Sequence, residues 1–116
     1  MTLERRRSPR YPFAATAEIF DEKENARTSS HVSDLSLQGC YVEVMNPFPQ
    51  GTSVLVEIYT ETEFMEAQAT VAFLKPKAGM GLTFNEIQPC FTTVLNKWLG
   101  KAATRKTSAS KSLSNA

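Results

Sequence analysis

The chain has 116 residues, of which 41% are hydrophobic and 22% are charged, and its formal net charge is +1. This length and composition predict one globular domain with a single hydrophobic core. No apolar run is long enough to cross a membrane, and no apolar stretch follows the first arginines. Neither membrane insertion nor a secretory signal is therefore expected, and the sequence favours a cytoplasmic protein.

Charge is distributed unevenly along the chain. Residues 1–10 carry four arginines and one glutamate, a net charge of +3, and residues 97–116 carry five basic side chains and no acidic ones. Residues 11–96 carry four basic and eleven acidic side chains, a net charge of −7. The N-terminal arginines are therefore not part of a generally basic surface. The acidic middle also disfavours a specific nucleic-acid-binding protein, because such proteins need basic surface to neutralise phosphates.

The N-terminal half of the sequence predicts an arm followed by short strands. Residues 1–10 are charged and contain Pro9, which discourages helix, so they are predicted to form a flexible arm. Alternating apolar and polar side chains predict a half-buried strand over residues 11–20. Residues 21–30 are polar and predict a turn or a long hairpin loop. The same alternation predicts five further strands, near residues 31–35, 40–45, 54–58, 65–74 and 80–84.

The apolar period changes near the C-terminus and predicts a helix. Pro89 lies where a helix would begin, and Gly100 lies where a C-terminal cap belongs. Between them, apolar residues recur at helical spacing, at Phe91, Val94, Leu95, Trp98 and Leu99. Residues 101–116 lack such a stripe and are predicted to form a disordered basic tail. Together, the elements predict an all-β fold: a six-stranded antiparallel β-barrel with a C-terminal α-helix.

The residues that usually support catalysis or metal binding are sparse. Cys40 and Cys90 have no metal-type spacing and lie in apolar surroundings, so both are expected to be buried free thiols. His31 is the single histidine, and no second ligand-type residue neighbours it in sequence. The sequence therefore predicts no metal site, no cofactor and no enzymatic activity.

Two short polar motifs stand out against this background. The first is an RxxxR pattern formed by Arg6 and Arg10, and the second is a DxSxxG pattern formed by Asp34, Ser36 and Gly39. Guanidinium groups donate paired hydrogen bonds to phosphates and to the Hoogsteen edge of guanine. Asp and Ser add short acceptors and donors, although alone they are also typical of a turn that holds its own backbone. Both motifs together predict a site for a guanine nucleotide with more than one phosphate.

These motifs give the chain a resemblance to a known family. With the closing segment 79–84, Gly-Met-Gly-Leu-Thr-Phe, residues 4–100 resemble the PilZ domain, a bacterial receptor domain for cyclic di-GMP. The resemblance implies a domain over residues 11–100 that consists of the β-barrel and the C-terminal helix. It also implies that Arg6 and Arg10 bind phosphate and the guanine edge. Asp34, Ser36 and Gly39 then form the turn that contacts guanine and the ligand backbone.

The resemblance carries three further expectations. Family members with an extra arginine directly before RxxxR usually bind an intercalated pair of cyclic di-GMP molecules, and Arg5 occupies that place, so two ligands per chain are expected. A stand-alone receptor implies an unidentified downstream effector protein. The alternative is a protein-interaction adaptor that works without ligand. Phe73 is a weaker candidate for stacking on a guanine, and a place in the barrel core, in phase with Val71, is slightly favoured for it.

Overall fold

The computed structural model describes residues 9–115, and it describes side chains over residues 9–104. Arg5 and Arg6 lie outside the described residues, as does most of the predicted arm. The described chain forms six strands followed by one helix. Their bounds are β1 Tyr11–Asp21, β2 Ala26–Leu35, β3 Gly39–Glu43, β4 Ser53–Tyr59, β5 Phe64–Lys75, β6 Gly79–Glu86 and α1 Pro89–Asn115.

The six strands close into a barrel in the order β1-β2-β3-β6-β5-β4. Every neighbouring pair is antiparallel, including the pair of β1 with β4 that completes the closure. Closure gives every strand a hydrogen-bonded neighbour on both sides, which suits six short strands. The predicted antiparallel barrel with a C-terminal helix is confirmed.

The core lies inside the barrel and beneath the first turns of α1. Alternate residues of each strand point inward, as in β4, where Val54, Val56 and Ile58 are all buried. Trp98 of α1 is 2% exposed and packs on Phe13 of β1, with ring centroids 5.2 Å apart. The helix therefore covers the barrel beside the start of β1, and Trp98 is the core residue that its spacing predicted.

The hairpin between β1 and β2 is tighter than predicted. Strand β2 begins at Ala26, so the predicted loop over residues 21–30 shrinks to four residues. The Asp21 carboxylate accepts hydrogen bonds from the backbone amides of Lys23 and Glu24, and Asn25 adopts a positive φ of 57°. Polar strand residues also find partners, since the Ser29 hydroxyl donates to Glu18 at 2.6 Å. Cross-strand polar pairing thus extends a hairpin that hydrophobic alternation did not reveal.

Helix α1 is longer than predicted. It continues past Gly100 to Asn115, so residues 101–115 are helical rather than disordered. Ala102 is buried against the barrel, and no proline follows to stop the helix. A glycine inside a helix costs only about 1 kcal/mol relative to alanine, so Gly100 does not end it. No helix in the described part of the chain is long and apolar enough to cross a membrane.

The two cysteines differ in their surroundings. Cys40 is buried in the barrel, and this burial, with a smaller contribution from the Asp34 charge, raises the pKa of its thiol to about 12. Cys90 is exposed at the start of α1, so the expectation of a buried thiol is wrong there. Phe91 and Val94, which follow Cys90 in sequence, pack against the core instead.

Candidate functional site

The barrel brings together Arg10 and Asp34, which are 24 residues apart in sequence. Pro12 of β1 lies opposite Asp34 of β2, so Arg10, just before β1, emerges beside that carboxylate. Arg10 Nη1 lies 3.9 Å from Asp34 Oδ2. This distance exceeds that of a charge-assisted hydrogen bond, about 2.7–2.9 Å, so the two groups are close but not locked together. The Arg10 side chain is 55% exposed, so its guanidinium can turn toward a third group.

One oxygen of Asp34 has no partner within the described residues. Its Oδ1 atom is buried and accepts no hydrogen bond there. Buried polar atoms without a partner are rare in native proteins because each costs about 1–3 kcal/mol. A strong acceptor is thus held beside a cationic donor, which is the arrangement that a ligand with both N–H donors and anionic oxygens would satisfy.

Ser36 is tied into its own turn. Its hydroxyl oxygen accepts hydrogen bonds from the backbone amides of Gln38 at 3.1 Å and Gly39 at 3.2 Å. The Ser36 backbone amide donates to the Gly39 carbonyl at 2.8 Å. The side chain is buried, so it shapes the loop between β2 and β3. Ser36 therefore forms a turn that holds its own backbone, which is the structural role that the sequence also allowed. Asp34 lies on β2 and takes no part in these hydrogen bonds.

Gly39 is required by the packing of the barrel itself. It pairs with Thr83 of β6, and a Cβ at this position would collide with the Leu82 carbonyl oxygen. Its φ does not lie in the left-handed region. The close approach that favours glycine here is thus to a neighbouring strand, and it holds the end of the DxSxxG turn against β6.

An aromatic pair lies on the outer barrel surface beyond Asp34. Tyr41 of β3 and Phe73 of β5 stack with ring centroids 6.1 Å apart and planes 20° apart. They flank Gly81 of β6, where a Cβ would collide with the Phe73 ring, so the absent side chain lets the ring lie flat on the sheet. Lys75 Nζ lies 5.5 Å from the Tyr41 ring centroid and adds a cation.

These groups form one row across four neighbouring strands. Asp34 is directly opposite Tyr41, Tyr41 is opposite Gly81, and Gly81 is opposite Phe73. Strands are spaced about 4.8 Å apart, so the row runs about 14 Å from carboxylate to aromatic ring. We call Arg10, Asp34, Tyr41 and Phe73 the polar–aromatic row. It offers a cation, an anion and two aromatic faces to one extended ligand.

Phe73 lies on the barrel surface and not in the core that the sequence slightly favoured, and Tyr41 is a further residue of the candidate site. Phe73 is 37% exposed rather than part of the core, because a register irregularity between Val71 and Phe73 moves it out of phase. Bulges of this kind are not visible in an alternating pattern. Tyr41 was missed, although it lies between the inward-facing Cys40 and Val42 and therefore had to point outward.

Comparison with known proteins places this barrel in a family. The family model described as PilZ domain matches residues 4–100. No curated protein matches the chain in sequence.

Solved structures support the same fold. The PilZ domain of YcgR from Escherichia coli, determined with c-di-GMP, superposes with a TM-score of 0.74 at 13% identity over 92% of this chain and 98% of that one. A crystal structure of YcgR in complex with c-di-GMP gives a TM-score of 0.78 at 14% identity over 94% of this chain and 50% of that one. MotI (DgrA), an inhibitor of motility from Bacillus subtilis, gives 0.69 at 23% identity over 90% and 52%. This chain thus spans about half of those two longer proteins. Identities this low establish the fold alone, but the family model covers most of the sequence, and the chain belongs to the PilZ domain family.

Proposed function

We propose that this protein is a non-catalytic receptor for cyclic di-GMP. The observation that carries the proposal is the buried Asp34 Oδ1, which has no hydrogen-bond partner among the described residues and lies beside Arg10 on a PilZ barrel. A guanine offers N–H donors to the carboxylate, while its Hoogsteen edge and a phosphate both accept hydrogen bonds from arginine. Membership of the family, and the c-di-GMP complexes of YcgR, support the identity of the ligand.

The proposed mechanism is a clamp that closes on the ligand. Arg5 and Arg6 join Arg10 from the arm, and the ligand lies along the polar–aromatic row. Charge-assisted hydrogen bonds each contribute about 1.5–3 kcal/mol, which offsets an ordering cost of about 1–2 kcal/mol per fixed backbone residue of the arm. Two cyclic di-GMP molecules per chain are proposed because Arg5 directly precedes RxxxR. The closed arm would then be recognised by an effector protein, and a cytoplasmic location stays a prediction.

Ser36 and Gly39 enter the mechanism differently from Asp34. Their hydrogen bonds and packing hold the turn that follows Asp34, so we propose that they act chiefly by fixing the loop against which the ligand lies. These structural roles would serve equally well in the alternative function, an adaptor that works without ligand. A thermal melt with and without cyclic di-GMP separates the two functions, since only a receptor is stabilised by the ligand.

Replacing Asp34 with alanine should separate stability from binding. Removal of the unpartnered buried oxygen should leave the free barrel as stable or stabilise it by about 1 kcal/mol, because the Arg10 ion pair is long and half exposed. Affinity for cyclic di-GMP should fall roughly 10- to 150-fold through loss of a charge-assisted contact. Urea denaturation and titration calorimetry measure the two effects. A variant that loses stability and keeps its affinity would show that Asp34 serves the fold and not the ligand.

Replacing Phe73 with alanine should weaken binding without unfolding the barrel. Stacking of one base on an aromatic ring is worth about 1–3 kcal/mol, which corresponds to a roughly 5- to 150-fold loss of affinity. Phe64 provides a matched control: it lies on the same strand, is 44% exposed and stacks on Tyr59. Phe64→Ala should bind cyclic di-GMP like the parent, and equal affinities for all three proteins would remove Phe73 from the site.

A further inference from the structure

A second exposed aromatic pair lies at the opposite end of β5 from Phe73. Tyr59 of β4 is directly opposite Phe64 of β5, and their rings stack with centroids 5.7 Å apart. Phe64 also contacts Phe91 of α1 at 5.4 Å. Tyr59 and Phe64 are 37% and 44% exposed, so this aromatic strip faces solvent. Contiguous exposed apolar surface of this kind is typical of an interaction site.

A row of carboxylates runs beside the aromatic strip. Glu18 of β1 is opposite Glu57 of β4, and Glu57 is opposite Glu66 of β5. Like charges directly across a sheet are unfavourable for folding. No ion pair reaches Glu57 or Glu66 from the residues whose side chains are described. Along β4 and β5, each carboxylate lies two residues from the aromatic side chain on the same strand, a separation of about 7 Å.

The segment that carries these carboxylates is acidic in sequence. Residues 53–66 contain four glutamates, Glu57 and Glu66 included, and no lysine or arginine, and Glu63 among them pairs with Lys97 of α1. The Tyr59 hydroxyl donates to Glu57 at 2.6 Å, and this hydrogen bond is the main reason that the pKa of Tyr59 is raised. Tyr59 therefore keeps its proton and holds the Glu57 carboxylate against the aromatic strip. The surface combines fixed anionic oxygens with aromatic faces, which are the two groups that recognise a guanidinium.

An internal contact shows that this surface chemistry accommodates arginine. At one end of the carboxylate row, Arg27 Nη1 lies 3.9 Å from Glu18, and the Arg27 guanidinium carbon lies 5.9 Å from the Phe20 ring centroid. Glu57 and Glu66 have no such cation from the described residues. Glu57 and Glu66 could therefore form ion pairs with basic side chains of another protein.

An open groove adjoins the aromatic strip. It has a volume of about 580 Å³ and lies between the start of β1, the β4–β5 turn and α1. Phe13, Tyr59 and Trp98 line its apolar part, and Glu61 and Lys101 are among its charged lining residues. Glu63, also in the lining, already accepts hydrogen bonds from Lys97 and Trp98. The groove thus provides apolar space beside the exposed charges of the row.

We propose that the face formed by β1, β4 and β5 docks a cationic amphipathic helix of a partner protein. The apolar side chains of that helix pack on the strip of Tyr59, Phe64 and Phe91, and its arginines or lysines pair with Glu57 and Glu66. Such a helix fits this face for two reasons. Its basic side chains complement the carboxylate row, and the carboxylate row and the aromatic strip run parallel across the strands, as the basic and apolar sides of a helix do. The docking face is separate from the polar–aromatic row, because Asp34 and Tyr41 lie on β2 and β3, and Phe73 lies at the opposite end of β5 from Phe64.

Strand β1 connects the docking face to the arm. Phe13 lies three residues after Arg10, packs on Trp98 and lines the groove. A ligand that fixes Arg10 therefore restrains the strand that shapes the groove, and cyclic di-GMP should change the affinity of the partner helix. This coupling rests on the proposed function, whereas the docking itself does not.

The test uses a synthetic helical peptide of leucine, alanine and arginine, with the arginines along one side, and a counterpart with glutamate in place of arginine. The isotope-labelled full chain is titrated with each peptide, and its amide and indole resonances are followed. Arginine peptide should shift the resonances of Tyr59, Phe64 and the Trp98 indole. Glu57→Gln/Glu66→Gln should weaken this binding about tenfold. The control double variant Glu22→Gln/Glu43→Gln removes two charges elsewhere and should bind like the parent.

The outcomes separate docking, coupling and ligand binding. Absence of shifts at millimolar arginine peptide, equal binding of the glutamate peptide, or equal losses in the two double variants would overturn the docking site. Salt-dependent self-association of the chain through the same resonances would assign the face to a second copy and overturn the partner helix. Saturating cyclic di-GMP should change the peptide affinity severalfold, and an unchanged affinity would overturn the coupling alone. Failure of the proposed receptor function appears separately, as no shift of Asp34 or Tyr41 with cyclic di-GMP.

Discussion

Replacing Arg6 and Arg10 together with alanine should reduce the affinity for cyclic di-GMP by roughly two to four orders of magnitude. Each arginine is expected to form at least one charge-assisted contact with phosphate or guanine, worth about 1.5–3 kcal/mol. Arg10 is already positioned beside Asp34, and it is exposed enough to turn toward a ligand. Titration calorimetry measures the loss, and the melting curve of the free protein should change little because the ion pair of Arg10 with Asp34 is long and exposed.

Arg7 and Arg27 supply the matched control for this experiment. Arg7→Ala/Arg27→Ala removes the same net charge, one arginine from the arm and one from the barrel, but leaves RxxxR intact. It should lose less than about tenfold in affinity, through weaker long-range attraction alone. If both double variants bind equally weakly, general charge and not the motif attracts the dinucleotide. If Arg6→Ala/Arg10→Ala binds like the parent, the clamp is wrong.

Replacing Gly39 with alanine should destabilise the barrel by about 2–4 kcal/mol. The new Cβ would meet the carbonyl oxygen of Leu82, a backbone atom that can move only if β3 and β6 separate. The same shift would disturb the hydrogen bonds that tie Gly39 to Ser36. Urea denaturation of the two proteins measures the difference. Loss of ligand binding in this variant would thus report a damaged fold, and not a lost contact.

Gly100 offers the opposite outcome for the same substitution. It lies inside α1, and a Cβ there would meet no atom within 4 Å. Gly100→Ala should therefore stabilise the protein by about 0.5–1 kcal/mol, since alanine restricts the unfolded chain and favours helix. Equal stability of Gly39→Ala and the parent would contradict the close approach of β3 and β6.

Hydrophobic alternation was sufficient to predict the six strands, and the change of period was sufficient to predict where α1 begins. It failed where backbone geometry or polar pairing decides the structure. The irregularity before Phe73 reverses the side that this residue faces, and hydrogen bonds such as Ser29 to Glu18 extend β2 beyond its apolar residues. Helix α1 also continues past Gly100, a residue that usually marks a helix end, and the buried Ala102 beyond it was not part of the predicted apolar stripe.

The candidate site was predictable in part, because its charged residues form compact motifs. The pairing of β1 with β2 explains how Arg10 and Asp34 meet, and the motifs indicated these two residues without that register. The structural role of Gly39 depends on its pairing with Thr83 of β6, which lies 44 residues further along the chain, whereas Ser36 forms a local turn of the kind that the motif allowed. Tyr41 belongs to no motif, so its place beside Asp34 emerged only from the strand pairing. The roles of Arg5 and Arg6 stay predictions.

Titration calorimetry of cyclic di-GMP into the full chain is the decisive measurement of receptor function. A receptor with the proposed clamp should give heat of binding that saturates near two ligands per chain and a higher melting temperature with ligand, and Arg6→Ala/Arg10→Ala should lose both effects. Saturation at one ligand would keep the receptor and contradict the bound pair that Arg5 implies. Absence of both heat and thermal stabilisation would contradict the receptor function.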